Sequence, residues 1–334
     1  MSVTETIYLL TGATGLLGAN ILDQLLSEGA HVRVLVRDPS RKHVDDRADV
    51  VEGDLLDGAA LNAFFETPPG PQVIVIHAAG AVTLDPNPNV FVHETNVTGT
   101  RNIVDQCVKH DVNKLVYVSS TSALPEVPSG KIEEAGWHDP TQVVGFYSET
   151  KAEASNLVLD AVEKRGLDAS IVYPSGILGP GDHNLGLITS TIRVFAKGFL
   201  PVSIGGSFNS VDVRDLAAGI VSCAASGKPG GTYIMAGDTH TLTELLTLVR
   251  KEAGLPPPWF TVPLRALRPL GWVGSQYSRL TKKPVLLTDY TIYNLERNND
   301  FSSEKARTKL GFKSRPLEET VRDTIQWLRR EDLL

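Results

Sequence analysis

Cysteine is scarce in this sequence: Cys107 and Cys223 are the only two in 334 residues, and they stand on separate apolar segments. Two isolated thiols give no disulfide framework and are typical of a reducing compartment. Basic residues are outnumbered by acidic ones, with a formal net charge of −7, and they are scattered along the chain. This pattern shows no basic footprint for nucleic acid.

Long apolar runs are also absent. No stretch approaches the roughly 18 to 20 apolar residues that a membrane span needs, and the N-terminal MSVTETIYLL lacks the basic region of a signal peptide. The eight histidines are dispersed, with no H-x-x-x-H pair and no carboxylates at ligand spacing, so we expect no metal site. These absences predict a cytoplasmic protein.

The first half of the chain alternates short β-branched runs with segments of helical periodicity, which predicts parallel βαβ units. Helices are expected over residues 15–28, 93–110 and 146–164, and strands over 7–10, 32–36, 50–51, 73–77, 115–119 and 169–173. These strands are apolar almost without alternation, as strands covered on both faces are. The predicted fold class is α/β, with a doubly wound, Rossmann-type, mostly parallel sheet.

This regularity decays after about residue 178, where glycine, proline and aromatic residues cluster. Within that part, 208–225 reads as a strand leading into a helix and 230–237 as another strand. We predict a dinucleotide-binding domain over 1–178, to which 208–237 returns. A small C-terminal substrate-binding lobe is expected from 179–207 and 238–334. The stretch 259–280 has apolar residues at near-helical spacing beside arginines, which leaves open a lid, plain core or a membrane-surface helix.

A glycine-rich turn opens the first helix. Residues 7–18 read IYLLTGATGLLG, so that Gly12, Gly15 and Gly18 follow a strand with the spacing G-x-x-G-x-x-G. The first two glycines would let the backbone turn tightly against a pyrophosphate. The third would let helix and strand pack closely, with the helix N-terminus facing the negative charge. The sequence therefore predicts a dinucleotide phosphate site here.

The end of the second strand selects the nucleotide. An NAD enzyme usually has Asp or Glu there, to accept hydrogen bonds from the ribose 2′-hydroxyl. This chain has Arg37 at the strand end, with Arg41 and Lys42 just beyond, and a guanidinium suits a 2′-phosphate. Asp38 could serve a ribose hydroxyl instead, and Arg37 could be a solvated strand-end charge. We predict NADP(H) in preference to NAD(H).

The candidate chemistry lies farther along. The run LVYVSST (115–121) ends in three hydroxyl residues, and a later helix carries Tyr147 and Lys151 on one face, at i and i+4. A tyrosine pKa near 10 is poorly suited to neutral pH, but a neighbouring ammonium lowers it. A hydroxyl of Ser120 or Thr121 would hold the substrate oxygen while Tyr147 gives or takes its proton. The pattern predicts proton transfer coupled to a hydride from the cofactor.

At this point the sequence resembles the extended short-chain dehydrogenase/reductases, in the NAD(P)-dependent epimerase/dehydratase superfamily. The resemblance covers nearly the whole chain, through TGATGLLG, GDLLD, HAAG, NVTGT, VSST, YSETK, YPSGILGPGD, SVDVRDLA and the closing FSSEKARTKLGF. Carried over by position, it implies Thr121, Tyr147 and Lys151 as catalytic residues, with Thr121 preferred to Ser120. It also implies that Asn96 lies near the cofactor and that residues 174–177 line the nicotinamide.

The residues expected at the cofactor are Gly12, Thr14, Gly15, Leu16, Leu17, Arg37, Asp54, Leu55, Ala78, Ala79, Gly80, Asn96, Ser119, Tyr147, Lys151, Pro174, Gly176 and Ile177. Those expected at the substrate are Val82, Thr121 and His183, with loop packing as the alternative role of His183. The resemblance also implies a possible homodimer through the helix that bears Tyr147 and Lys151.

Within the superfamily, VRDPSRK and the C-terminal pattern look most like the dihydroflavonol reductase and 3β-hydroxysteroid dehydrogenase branch. Ser122 and Ala123 stand where sugar-nucleotide dehydratases have Asp-Glu, and Tyr173-Pro174 replaces the RYFN-like string common in epimerases. We therefore expect an NADP-dependent reductase or dehydrogenase of a carbonyl/secondary alcohol pair on an apolar or aromatic small molecule. A sugar-nucleotide epimerase is the alternative. A non-enzymatic dinucleotide sensor ranks last, because Tyr147 and Lys151 are both present.

Overall fold

The computed structural model describes residues 5–40, 44–281 and 287–334. Its central sheet has seven strands in the order β10-β6-β5-β4-β1-β2-β3, and every neighbouring pair is parallel. These strands are β1 (Thr6–Thr11), β2 (His31–Val36), β3 (Asp49–Glu52), β4 (Gln72–His77), β5 (Lys114–Val118), β6 (Ala169–Pro174) and β10 (Gly231–Met235). Each of the six strands predicted from the first half is present, with both ends within one residue.

Helices cover both faces of this sheet, as continuous apolar strands require. One face packs against α1 (Leu16–Ser27), α7 (Val213–Ser226) and α11 (Glu304–Leu310), through a core that includes Ile21, Leu216 and Leu310. The other face packs against α2 (Gly58–Phe65), α4 (Gly99–Lys109) and α5 (Phe146–Arg165), through a core that includes Phe64, Ile103 and Val158. The doubly wound Rossmann-type fold expected from the sequence is thus confirmed.

The chain reverses its direction of strand addition between β1 and β4, which are neighbours in the sheet. Open parallel sheets bind ligands in the crevice beyond the carboxyl ends of the strands at such a point. Gly12 follows β1 and Ala78 follows β4, so both lie at this reversal. The fold therefore brings the glycine turn and the HAAG loop to the place where a dinucleotide would bind.

The helix predicted over 93–110 differs from the expectation. It begins earlier, as α3 (Val90–His93), passes through one π-helical turn (Glu94–Thr98), and continues as α4. A π turn inserts one extra residue, so it shifts the side chains that follow relative to a regular helix. Asn96 lies inside this turn. The helix α2 was not predicted, although Asp57 caps it by accepting hydrogen bonds from the amides of Ala59 and Ala60.

The remaining elements stand mostly outside the central sheet. A three-stranded sheet has the order β11-β9-β7, and β12 pairs with β8. Their bounds are β7 (Gly176–Leu178), β8 (Ser203–Ile204), β9 (Ser207–Asp212), β11 (Thr239–Thr241) and β12 (Thr261–Val262). The other helices are α6 (Leu187–Ala196), α8 (Leu242–Glu252), α9 (Leu264–Thr281), α10 (Asp289–Glu296) and α12 (Leu317–Arg330). The predicted strand–helix unit at 208–225 is therefore β9 and α7.

The stretch 259–280 forms β12 and most of α9. Leu264 and Leu267 are buried in a small cluster with Ile292 of α10, whereas Trp272 and Val273 are exposed. One face of α9 thus packs against the protein and another faces solvent. Within the described residues, no helix is long and apolar enough to cross a bilayer.

Candidate active site

The glycine turn between β1 and α1 is closely packed. Gly12 has φ of +82°, and a Cβ there would lie 2.7 Å from the amide nitrogen of Ala79. A Cβ on Gly18 would lie 2.0 Å from the carbonyl oxygen of Gly12, so the first and third glycines hold helix and turn together. Gly15 is the residue before the helix, and among the described residues no side chain caps its amides. These amides and the helix dipole can therefore serve an anion.

A buried hydrogen-bond chain supports the turn from below. The amide of Ala79 donates to the hydroxyl of Thr11 (3.3 Å), which lies 2.7 Å from His77 Nδ1. His77 Nε2 is 3.0 Å from the Thr100 hydroxyl, which donates to the carbonyl of Asn96. Because Thr100 has one proton to give, it accepts from His77, which fixes the proton on Nε2. Burial lowers the pKa of His77 to about 3, so the ring is neutral.

The strand ends that face the adenosine half of a dinucleotide carry Arg37 and Asp54. The Arg37 side chain is 65% exposed, and its Nε lies 4.0 Å from Asp54 Oδ2, a weak surface pair. Asp38 accepts hydrogen bonds from the amide and hydroxyl of Ser40 (3.0 and 2.6 Å), which closes a local turn. Arg41 and Lys42 lie outside the described residues.

Asn96 joins the loop after β4 to the helix that carries the tyrosine. Its Oδ1 accepts from the amide of Ala81 (2.8 Å), while its Nδ2 donates to the carbonyl of Ala81 and to Thr150 Oγ1. A Cβ on Gly80 would lie 3.4 Å from Asn96 Oδ1 and 3.8 Å from Lys151 Nζ. The loop after β4 is therefore held against α5 through Asn96, and Gly80 lies close to the Lys151 amine.

Lys151 is buried beneath this loop. Its Nζ donates to the carbonyl of Val118 (2.7 Å) and lies 4.7 Å from the centre of the Tyr117 ring. Burial lowers the pKa of Lys151 to about 7, so the amine is only partly charged at neutral pH. A carbonyl and an aromatic face both favour the ammonium form, and a bound ribose would offer it further oxygen acceptors.

Tyr147 is partly buried in the first turn of α5. Burial raises the pKa of Tyr147 to about 12, the nearby Ser120 side chain opposes this rise, and Tyr290 adds to it. Ser120 in turn accepts from the Ser122 hydroxyl (3.0 Å) and amide, which leaves its own proton available to a partner. Tyr147 is therefore a neutral proton donor, next to a second hydroxyl that is already polarised.

Gly145 makes room for α10 beside the tyrosine. It has φ of +94°, and a Cβ there would lie 2.5 to 2.8 Å from atoms of the Tyr290 ring. The Tyr290 hydroxyl is 3.4 Å from that of Ser148. The C-terminal part of the chain thus closes over the start of α5, a contact that the sequence patterns did not reveal.

Thr121 follows Ser119 and Ser120 in the chain and also lines a cavity. It is buried and begins a short 3₁₀ turn. The cavity, of about 350 Å³, is lined by Thr121, Leu124, Pro125, Glu126, Val127, Pro128, Ile132, Tyr293, Glu296, Arg297, Asn298 and Phe301. We call it the Thr121 cavity. Thr121 therefore belongs both to the run of three hydroxyl residues and to the wall of this cavity.

The other predicted cofactor residues differ in their surroundings. Ser119 is turned under α5, where its hydroxyl lies 2.7 Å from that of Ser155. Leu17 and Leu55 are buried in the two cores of the sheet. The backbone of Thr14 accepts a hydrogen bond from the Asn184 side chain. Pro174 ends β6, whereas Gly176 and Ile177 belong to β7, which pairs with β9.

Two of the predicted substrate residues, His183 and Val82, have surroundings that differ from those of Thr121. His183 packs edge-on against Trp327, with ring centres 5.2 Å apart, and its Nδ1 is 4.0 Å from Glu331. These contacts fit the loop-packing alternative. Val82 is 74% exposed, two residues beyond Gly80. Among the described residues, no group of three or more His, Cys, Asp or Glu side chains could hold a metal.

Two features not anticipated from the sequence are Tyr117 and Tyr290, which border Lys151 and Tyr147 respectively. Tyr117 occupies a strand position that reads as plain core, and its ring stacks on His77 at 5.6 Å. The sequence signal that could have indicated a role for Tyr117 at the site is its position two residues before Ser119. Taken together, the closely packed glycine turn, the uncapped start of α1 and the buried amine of Lys151 fit a nicotinamide dinucleotide.

Comparison with known proteins identifies the family of the chain. Residues 8–236 match the NAD dependent epimerase/dehydratase family. The chain is 28% identical over 331 residues to the sterol demethylase protein B of Methylococcus capsulatus, covering 98% of this chain and 99% of that protein. It is 27% identical over 325 residues to a 3-beta-hydroxysteroid dehydrogenase of Mycolicibacterium neoaurum, covering 91% and 86%.

Among solved structures, the crystal structure of gox2253 matches with a TM-score of 0.85 and 30% identity, covering 99% of this chain and all of that one. The chain belongs to the NAD dependent epimerase/dehydratase family and is an oxidoreductase of the short-chain dehydrogenase/reductase type, similar to dihydroflavonol reductases and 3β-hydroxysteroid dehydrogenases.

Proposed function

We propose that the protein is an NADP-dependent reductase or dehydrogenase, which interconverts a carbonyl and a secondary alcohol on an apolar or aromatic small molecule. The observation that carries this proposal is the position of Tyr147 beside the Ser120 side chain, with the buried Lys151 following one helical turn later. These groups lie beyond the carboxyl end of β5, on the ligand-binding edge of the sheet. The arrangement suits proton transfer to an oxygen atom.

In the reducing direction, the substrate carbonyl oxygen accepts hydrogen bonds from Tyr147 and from a hydroxyl of the 120–121 pair. A nicotinamide cofactor, when bound, would supply the hydride that the carbonyl carbon receives. Tyr147 gives its phenolic proton to the oxygen, so that the carbonyl becomes an alcohol. The Lys151 ammonium stabilises the phenolate left behind. In the oxidising direction, Tyr147 takes the alcohol proton back.

The lining of the Thr121 cavity supports an apolar substrate. Leu124, Val127, Ile132 and Phe301 contribute aliphatic and aromatic surface. Its arginine, Arg297, already has a carboxylate 3.7 Å away, on Glu126. Glu126 balances the charge of Arg297, so the described lining of the cavity has no net positive charge to attract the diphosphate of a sugar nucleotide, which favours a reductase over the epimerase alternative.

A substrate panel tests the proposal. We expect NADPH consumption, followed by absorbance, with apolar aldehydes or ketones, and none with sugar nucleotides. An epimerase would instead retain tightly bound dinucleotide through purification, and would isomerise a sugar nucleotide without net consumption of added cofactor. Such a result would replace the proposed reaction with the alternative one.

The preference for NADP rests on Arg37. Its guanidinium is exposed and only weakly held by Asp54, whereas the carboxylate of Asp38 is engaged by Ser40. A 2′-phosphate can therefore recruit Arg37 at little cost, while Asp38 is already committed to the turn. The proposal also includes a homodimer through α5, a cytoplasmic location, the two-part division of the chain and the remaining cofactor residues.

Replacing Arg37 with alanine should lower the preference for NADP over NAD by about tenfold, because a charge-assisted hydrogen bond to the phosphate is lost. The measurement is kcat/KM for each cofactor with one substrate. Arg47→Ala is the matched control, since Arg47 is equally exposed and pairs with Asp45, so its removal should leave the ratio unchanged. An unaltered ratio in Arg37→Ala would contradict the assignment.

Two hydroxyl deletions decide which side chain holds the substrate oxygen. Because the Ser120 side chain lies beside Tyr147, we expect Ser120→Ala to lower kcat by about 10²-fold, the effect of removing one oxyanion donor. Thr121→Val keeps the shape of the cavity wall and should cost less than about tenfold. Steady-state kinetics give both values. The opposite order would support Thr121, the residue implied by the family resemblance.

A further inference from the structure

The Thr121 cavity holds a charge pair that the proposed chemistry does not use. Arg297, directly after α10, has only 13% of its side chain exposed, and burial lowers its pKa. Its Nε donates to Asn299 Oδ1 at 3.3 Å, and its Nη1 lies 3.7 Å from Glu126 Oε1. The second distance is too long for a hydrogen bond. Among the described residues, most of the guanidinium N–H groups therefore lack an acceptor.

Glu126 is in the complementary situation. It comes from the loop after Thr121, and its carboxylate, 37% exposed, has Arg297 as its ion-pair partner across the cavity. The neighbouring Glu296 is engaged by Arg268 at 3.0 Å. One unfilled donor and one unfilled acceptor thus face each other with no net charge. A hydroxyl group satisfies both at once, because it accepts from the guanidinium and donates to the carboxylate.

We propose that the Thr121 cavity is a substrate subsite in which Arg297 and Glu126 together bind a neutral hydroxyl group, carried by the substrate away from its reacting carbonyl. The inference rests on the proposed function, and it makes that substrate a hydroxylated, otherwise apolar ketone or aldehyde. A carboxylate in the same place would gain Arg297 but face Glu126, and a plain hydrocarbon would cover both groups without giving either a hydrogen-bond partner.

Three ligands of matched shape test the subsite: benzylacetone, its para-hydroxy derivative and its para-carboxylate derivative. Binding to the NADP-loaded protein is measured by calorimetry, and turnover with NADPH is measured in parallel. We expect the hydroxyl compound to bind about tenfold more tightly than the parent ketone. Because binding is read without catalysis, the subsite is tested even if none of the three ketones is reduced, an outcome that would count against the proposed function alone.

Glu126→Gln sharpens the test, since the exposed position of Glu126 makes misfolding of this variant no concern. Removing its charge leaves Arg297 uncompensated, so the preference should move from the hydroxyl to the carboxylate compound by about tenfold or more. Arg297→Leu should abolish the hydroxyl preference. Asp105→Asn, which removes the carboxylate of an exposed pair with Arg165, is the control and should change neither ratio. Equal affinity of the wild-type protein for all three ligands, or a preference unaffected by Glu126→Gln, would overturn the inference.

Discussion

Tyr147→Phe should reduce turnover by about 10³-fold, within the range expected for loss of a general acid, while NADP(H) still binds. Phenylalanine keeps the ring against its neighbours and removes only the hydroxyl. In the proposed reaction, the Tyr147 hydroxyl is the group that gives its proton to the substrate oxygen and later regains a proton. Because burial raises the pKa of Tyr147 to about 12, the wild-type residue carries its proton at neutral pH and is ready to donate it in reduction.

The measurement has two parts. Steady-state rates give the loss of kcat, and the change in nicotinamide fluorescence on titration gives the affinity for NADPH. Tyr8→Phe serves as the control, because Tyr8 lies near the amino-terminal end of β1, away from the ligand-binding edge, and its loss of a hydroxyl should leave kcat unchanged. Turnover at the wild-type level in Tyr147→Phe would remove this residue from the mechanism.

The strands and the glycine turn were predictable because their causes are local. Buried parallel strands need continuous apolar runs, and a turn with φ of +82° at Gly12 needs a residue without a Cβ. The spacing of Tyr147 and Lys151 was likewise readable, since helix geometry places i and i+4 side by side. Each of these features leaves its mark within a few consecutive residues.

The features that were missed depend on residues distant in the chain. Tyr290 reaches the start of α5 from more than a hundred residues away, and the Glu126–Arg297 pair spans a similar separation. No periodicity connects such positions. The π turn at Asn96 was hidden for another reason: one inserted residue leaves a helical pattern almost unchanged over a short window. Which of Ser120 and Thr121 meets the tyrosine depends on how the chain turns after β5, which three consecutive hydroxyl residues do not reveal.

Lys151→Met should lower kcat by about 10²-fold or more, because the phenolate of Tyr147 loses its stabilising charge. The same change should raise the free energy of unfolding of the cofactor-free protein at neutral pH by something on the order of a few kcal/mol. The sign follows from burial, which lowers the pKa of Lys151 from 10.5 to about 7. Between these two values the unfolded chain holds a proton that the folded protein lacks.

The contribution of Lys151 should therefore make the free energy of unfolding of the wild-type protein rise with pH from about 7 to 10.5. Below pH 7 the amine is protonated in both states, so its burial destabilises the folded protein by the full amount. In Lys151→Met this rise should disappear. Urea unfolding at neutral pH and at about pH 9 measures it, and Lys164→Met, at an exposed lysine on the same helix, should leave the slope as in the wild type. An equal pH slope in Lys151→Met would show that the buried amine stays charged through contacts with Val118 and Tyr117. If instead the slope vanishes while activity falls, burial of the Lys151 amine lowers the stability of the cofactor-free protein. The same amine stabilises charge in the reaction, when a ribose and the Tyr147 phenolate lie beside it.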